Sequence, residues 1–387
     1  MKRCLLIPDS FKGTMSASEV CEIMKQSILA RYPECHIISV PVADGGEGTV
    51  DCFLEALNRG NKVFIETKGP FLEDISSFYG IIGNVGIIEM AASAGVSMVN
   101  GKMDPERTST FGVGELINDA IQRGCRKIIL GLGGSCTNDA GAGMAAALGT
   151  KFYDRYGIPF VPVGGNLSDV AKIDITETRE KLKGVEIEAM CDIDNPLYGQ
   201  NGAAYVFGPQ KGAGPDVVKR LDDNLRYFCE TIRNSLGIDV SGIRGAGAAG
   251  GMGAGAYAFL GASLKRGIDV VLDMIHFEDI ISSCDCIFTG EGKLDAQSMS
   301  GKAVIGISRR AKPHQIPVIA VVGSFAGDKT AIQNAGVSFV FETGAERTSL
   351  EEAKIHCRDD LRRTMDLICK DWIPNIIKAK DNKLEGE

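Results

Sequence analysis

The chain opens with the apolar run Cys4-Leu5-Leu6-Ile7, then a polar loop from Pro8 to Thr14, then a segment with apolar residues at helical spacing to about Ala30. Ser16 with Glu19 three residues later is a capping-box pattern that starts this helix. A second apolar run at 36–40 stops at Pro41, and after the loop 43–49 another helix is predicted to about Asn58. Strand, loop and helix repeating at this spacing predict a parallel sheet covered by helices. From Lys62 the texture changes. Segments 62–66, 76–82 and 85–90 read as strands separated by Gly-Pro and Gly-Asn turns, with no room for a helix, so mixed or antiparallel pairing and a second domain are expected. Further along, the pattern predicts a helix over 111–123, a strand over 127–132, a helix over 140–148 and a strand over 186–191. A long helix is predicted over 217–236, with Pro215-Asp216 at its start and Gly237 just past its end. Segments 268–273 and 277–283 lead into an apolar strand ending at Gly290. The strand–helix rhythm then resumes with a helix at 302–311, a strand at 317–322, a helix at 329–334, a strand at 338–342 and a helix at 350–376. The expected fold class is α/β: a Rossmann-like doubly wound parallel-sheet domain, discontinuous over 1–61 plus 280–387, with a second mixed α/β domain, 62–279, inserted into it. The active site is expected in the cleft between them, and the polar tail 378–387 is expected to fray.

Composition narrows the function classes. Lysine plus arginine number 42 against 50 acidic residues, a net charge of −8, and no long basic run occurs, so the footprint of a nucleic-acid binder is absent. The first apolar run is too short for a signal peptide, and no segment approaches the length of a membrane helix. Twelve cysteines are scattered, with only Cys284 and Cys286 close together, a usage that fits a reducing compartment and a cytoplasmic location. The expected partner is a small molecule, with no nucleic acid and no membrane, and a homo-oligomer is compatible with the sequence. The outlier is glycine, 48 of 387 residues, where about 7% is usual. More than half of it sits in 45–48, 131–149, 199–214, 242–261 and 290–306. Glycine at that density lets backbone turn tightly or approach a ligand.

Four of these segments carry or adjoin polar chemistry. The loop Pro8-Asp9-Ser10-Phe11-Lys12-Gly13 runs from a strand end to a helix start, where an anion is favoured. Asp44-Gly45-Gly46-Glu47-Gly48-Thr49 interleaves two carboxylates with three glycines, a pair able to hold Mg²⁺ or the hydroxyls of a polyol. The loop 131–143 is neither a Walker A loop nor GxGxxG, yet its glycines, with Gly134, Ser135, Thr137, Asn138 and Asp139, suit a phosphate cradle. Asp192 and Asp194 stand two apart in an extended segment, facing one side, and suit a metal ion or a catalytic base. Gln210-Lys211 precedes a helix, where lysine can meet phosphate as a point charge. Glu291, Gly292, Lys293, Asp295, Gln297 and Ser298 form the densest polar loop, more than a connection needs. The tract 242–261 lacks such chemistry but is followed by Tyr257, Phe259 and Leu260, and is expected to be packed backbone lining the cleft. His36, His276, His314 and His356 show no metal spacing and lie outside these loops, which argues against a histidine triad, and Trp372 is expected to serve packing.

Taken together, Pro8–Gly13, 43–49, 133–141, Cys191-Asp192 with Asp194-Asn195-Pro196, 207–212 and 289–297 resemble the motifs of the type 1 glycerate kinases, in the same order, and the likeness extends to about residue 375. The resemblance implies ATP-dependent phosphorylation of D-glycerate, giving 2-phosphoglycerate, with ATP and Mg²⁺ as cofactors. The motifs themselves assign no individual roles; within this reading Asp192, Asp295 and Lys12 are the catalytic candidates, and Asp44, Glu47 and Asp194 the metal candidates. Asp9, Ser10, Gly45, Gly46, Gly134, Ser135, Thr137, Asn138, Lys211, Glu291, Gly292, Lys293 and Gln297 become candidates for binding substrate or phosphate. Two other readings stand beside it. A dinucleotide dehydrogenase would need a glycine fingerprint after the first strand, where the chain reads Asp9-Ser-Phe-Lys-Gly-Thr. A non-catalytic two-domain binding or regulatory protein would not need so many acid-rich loops.

Overall fold

The computed structural model describes residues 1–99, 101–295, 299, 301–344 and 349–376. Gln297, Ser298 and the tail 378–387 therefore lie outside the described residues. The chain divides into two compact units, one of Met1–Asp44, Glu55–Asn58 and Ile268–Glu387, the other of Gly45–Leu54 and Arg59–Gly267.

The first unit is a doubly wound α/β sheet. Its five strands lie in the spatial order Phe339–Glu342, Val318–Val322, Cys286–Thr289, Arg3–Leu6, His36–Ser39, and every neighbouring pair is parallel. Counted along the chain, that is the order 2-1-3-4-5, the flavodoxin-like variant of the doubly wound plan. Alternation explains why both faces are covered. Ile319 and Val321 pack with the helices Ala17–Arg31 and Leu350–Leu367, whereas Ala320 and Val322 pack with Val304, Ile305 and Ile332 on the other side. Local signals set the helix starts. Ser16 accepts from the Glu19 N–H, and Ser349 accepts from the Glu352 N–H.

The second unit holds a mixed six-stranded sheet. Ser263–Lys265, Glu186–Met190, Lys127–Gly131 and Val85–Glu89 run parallel, followed by antiparallel Asp74–Ile82 and Asn61–Lys68. The long helix is Pro215–Leu236, two residues longer at its start than the periodicity predicts because Pro215 itself occupies the first turn. It ends at Gly237 in the left-handed region at φ 70°. Phe152, Phe228 and Phe259 meet at centroid distances of 5.6–6.1 Å in its core. The short strands Lys151–Tyr153, Pro159–Phe160 and Lys172–Asp174, and Ser263–Lys265, carry too few residues to show a period and were not anticipated. Among the described residues no helix is long and apolar enough to cross a membrane. All twelve cysteines are free thiols, eleven of them buried.

Candidate active site

In the first unit the strand order places the topological switch point between Arg3–Leu6 and Cys286–Thr289, the position where open α/β sheets bind ligands. The two loops that leave these strand ends carry the candidates. Their backbones are tied together, since the Asp9 N–H donates to the Gly290 carbonyl at 2.8 Å and Thr289 Oγ1 donates to the Ile7 carbonyl at 2.9 Å. At Gly292 a side chain would stand 3.3 Å from the Phe11 Cα, so glycine permits this approach. Asp9, Ser10, Lys12, Asp44, Glu291, Gly292, Lys293 and Asp295 are thereby gathered at one end of one sheet. Lys12 pairs with Asp44, and Lys293 pairs with Asp295 at 3.2 Å. Glu291 is buried, while Lys12 and Lys293 are exposed.

Asp9 is buried, and burial, reinforced by the neighbouring Asp44 carboxylate, pushes its carboxyl from the ordinary 3.8 up to about 7. Between pH 4 and 7 the folded state thus keeps a proton that the unfolded chain has released, so this group makes stability fall as pH rises. Asp9→Asn is expected to be more stable than the parent by about 2–4 kcal/mol at pH 8 and equal to it at pH 4. Urea denaturation at both pH values checks this, and an equal difference at the two would refute it.

The second unit collects the other set. The carbonyl of Gly45 accepts from the Gly133 N–H at 2.9 Å, and Gly46 lies so close to Gly133 that a side chain there would meet its Cα at 2.6 Å. Behind Gly134, exposed at the turn, Ser135, Thr137 and Asn138 are buried. Lys211 is buried with them and donates to Ser135 Oγ and to the Thr137 carbonyl, both at 2.7 Å. Among the described residues no carboxylate lies in ion-pair range of Lys211. Burial therefore lowers its ammonium to about 8, with only partial relief from Cys136 and Asp139. Both polar atoms of the Asn138 amide, and Thr137 Oγ1, are buried without a hydrogen-bond partner among the described residues. Each such atom costs about 1–3 kcal/mol unless it is satisfied. A buried cation and orphaned donors on one loop are complementary to a small anion with a hydroxyl.

Asp139 has a different role from its neighbours. Its carboxylate accepts from the Thr110 N–H and hydroxyl, both at 2.8 Å, and from the Gly141 and Gly143 N–H groups. It fastens the loop to the start of the helix Phe111–Gln122 and is taken up internally. The glycine tract supports the same loop from below, in the helix Ala248–Leu260. Gly250 has φ 67°, and a side chain there would lie 1.9 Å from the Thr137 carbonyl. Gly250→Ala is accordingly expected to cost about 2–4 kcal/mol, from overpacking and left-handed strain. Gly242→Ala, in open space, should change stability by less than about 0.5 kcal/mol. Chemical denaturation of the two variants makes the comparison, and equal effects would contradict it.

The remaining candidate acids of this unit, Glu47, Asp192 and Asp194, each have a defined partner. Glu47 accepts from Ser97 Oγ at 2.5 Å. Asp192 Oδ1 accepts from the Gly267 N–H at 2.8 Å, and Asp194 faces Arg266 at 3.4 Å, so both carboxylates turn towards the 266–267 segment. Among the described residues no group of three or more His, Cys, Asp or Glu side chains is placed to hold a metal ion. Ser97 and Arg266 were not anticipated. Arg266 follows Ser263–Lys265, a three-residue strand without a pattern of its own.

The glycerate kinase family model matches residues 4–373. A glycerate kinase of Bacillus cereus is 42% identical over 373 residues, covering 96% of this chain and 98% of that protein. A glycerate 2-kinase of Escherichia coli is 41% identical over 371 residues, covering 95% of each. A crystal structure from Salmonella typhimurium LT2, provisionally assigned as glycerate kinase 2, superposes with a TM-score of 0.84 at 39% identity, covering 98% of this chain and 99% of that one. With the family model matched over nearly the whole chain and relatives about 40% identical along most of its length, the chain is an enzyme that belongs to the glycerate kinase family.

Proposed function

We propose that the protein is a type 1 glycerate kinase that transfers the terminal phosphoryl group of ATP to the 2-hydroxyl of D-glycerate. The observation that carries this reading is the buried Lys211 with Ser135, Thr137 and Asn138. It is a buried cationic and polar cluster suited to a small carboxylate with adjacent hydroxyls. Glycerate is such a ligand, and its carboxylate would supply the charge that Lys211 lacks.

Phosphoryl transfer asks a protein mainly for positioning and charge neutralisation. Asp192 is the proposed base for the attacked hydroxyl, with the Gly267 N–H holding one of its oxygens in place. Lys12, Lys293 and the Asp9–Ser10 turn are proposed to meet phosphoryl oxygens, with Asp295 holding Lys293 and Asp44 holding Lys12. Mg²⁺ keeps several waters and binds through substrate phosphates plus one or two carboxylates, so it does not need the three-acid cluster that is absent among the described residues. One or two of Asp44, Glu47 and Asp194 are the carboxylates proposed for it, and when bound it would neutralise phosphate charge. Release of ADP from ATP and Mg²⁺ with and without D-glycerate tests the reading, and ¹³C NMR of the product distinguishes the 2-phosphate from the 3-phosphate. No glycerate-dependent ADP release would overturn it.

A further inference from the structure

One cavity in the second unit borders the proposed steps only through Asp194, and its other lining residues take no part in them. It has a volume of about 270 Å³ and opens beside the ends of the parallel strands Glu186–Met190 and Ser263–Lys265. Its lining divides into two halves. Arg244, Lys265 and Arg266 bring three cations against the single carboxylate of Asp194, while Ile193, Ile243, Leu264 and Tyr257 supply an apolar wall. The cations are not equivalent. Arg266 is paired with Asp194, and Lys265 is paired with the buried Glu188, which also binds Lys127 at 3.0 Å. Arg244 is exposed, and among the described residues it has neither an ion pair nor a hydrogen bond. Its loop packs closely on Cys191, since Gly245 has φ 82° and a side chain there would stand 2.6 Å from Cys191 Sγ.

We infer that this cavity receives the nucleotide, with Arg244 and Arg266 on its phosphate chain and Tyr257 with the aliphatic wall against its base. This rests on the kinase reading for the identity of the ligand. The division of the wall selects the occupant. A three-carbon hydroxy acid has no apolar surface to offer Tyr257, Ile243 and Leu264, and the buried Lys211 cluster already matches it in charge. A nucleotide presents both a polyanion and a flat base. Arginine suits the first through its fixed fork of donors, and an aromatic ring suits the second by stacking. Asp194 orients the Arg266 guanidinium, while Arg244 brings a charge that no ion pair among the described residues offsets.

The test is calorimetric titration of the full-length protein with ADP, inorganic pyrophosphate and D-glycerate, alongside the kinase assay. Arg244→Ala is expected to weaken ADP and pyrophosphate at least about tenfold and to leave D-glycerate within twofold, as loss of a charged hydrogen bond implies. Tyr257→Ala should weaken ADP at least about fivefold but not pyrophosphate, a split that general misfolding does not produce. ADP affinity within twofold of the parent in both variants would overturn the inference. Loss of D-glycerate affinity instead of ADP affinity in Arg244→Ala would assign the cavity to the acceptor carboxylate and overturn it equally. Arg244-dependent ADP binding without glycerate-dependent turnover would leave this site standing while the glycerate reading fell.

Discussion

Lys211→Met is expected to lower kcat/KM for D-glycerate by about 30-fold or more and, in the same molecule, to raise Tm. The first effect follows from removing a buried cation that would bind the substrate carboxylate, since truncating one partner of a buried charge pair costs about 2–5 kcal/mol. The second follows from the ligand-free protein. Lys211 is buried with a hydroxyl and a carbonyl as its partners, and its ammonium is held down at about 8 from the ordinary 10.5. Below pH 8 it is charged in the folded state at a cost that the unfolded chain does not carry. Between pH 8 and 10.5 only the unfolded chain binds the proton, so stability rises with pH across that window. Methionine removes the cost and the pH dependence together, leaving a gain of about 2–6 °C at pH 7 after the two lost hydrogen bonds are counted. A lysine that served packing alone would give the opposite sign, lower Tm with activity falling in proportion. Saturating glycerate should stabilise the parent and not the variant. Thermal scans at pH 7 and 9.5, with and without glycerate, separate the two accounts.

Asp192→Asn is expected to reduce kcat by 10²–10⁴-fold with little change in stability, the range usual for loss of a positioned acid–base group. The amide retains an oxygen able to accept from the Gly267 N–H, so the local backbone should keep its place. What disappears is the negative charge that would draw the proton from the attacked hydroxyl. Asp194→Asn is the control two residues away, where the carboxylate is more than half exposed and is paired with Arg266. It should act mainly on KM for the nucleotide. A folded Asp192→Asn protein with unchanged turnover would remove Asp192 from the mechanism. The near-neutral Asp9 would then be the next carboxylate to test as base.

Both experiments concern residues that the sequence marks as polar groups among glycines but does not rank. Asp139 shows the difficulty. It stands beside Asn138 in the same motif, and the sequence offers the two as equal contacts for a ligand. Four internal donors occupy the Asp139 carboxylate, whereas the Asn138 amide has no partner among the described residues. Their separation depends on Thr110, 29 residues away in the chain. Arg244 and Arg266 carry no local signal at all. An isolated arginine in a loop is ordinarily solvated, and only the packing of Cys191 against Gly245 and the pairing of a three-residue strand make these two line one cavity.

The sequence by itself determined the alternation of strands and helices in the first unit, the parallel character of its sheet, the helix start at Ser16, and the glycine-rich polar loops proposed to carry the chemistry. Those features follow from side-chain period, capping and turn residues, which act over a few positions and need no knowledge of the rest of the chain. Only the tertiary structure decided that Lys211, 76 residues beyond Ser135, is buried against it without a carboxylate in range, that Asp9 holds its proton near neutrality, and that the glycine tract is the floor of the 133–141 loop. Burial and charge pairing are set by groups that folding brings together from distant parts of the chain. They depend on the distances and the solvent left around each group, quantities that no local pattern encodes.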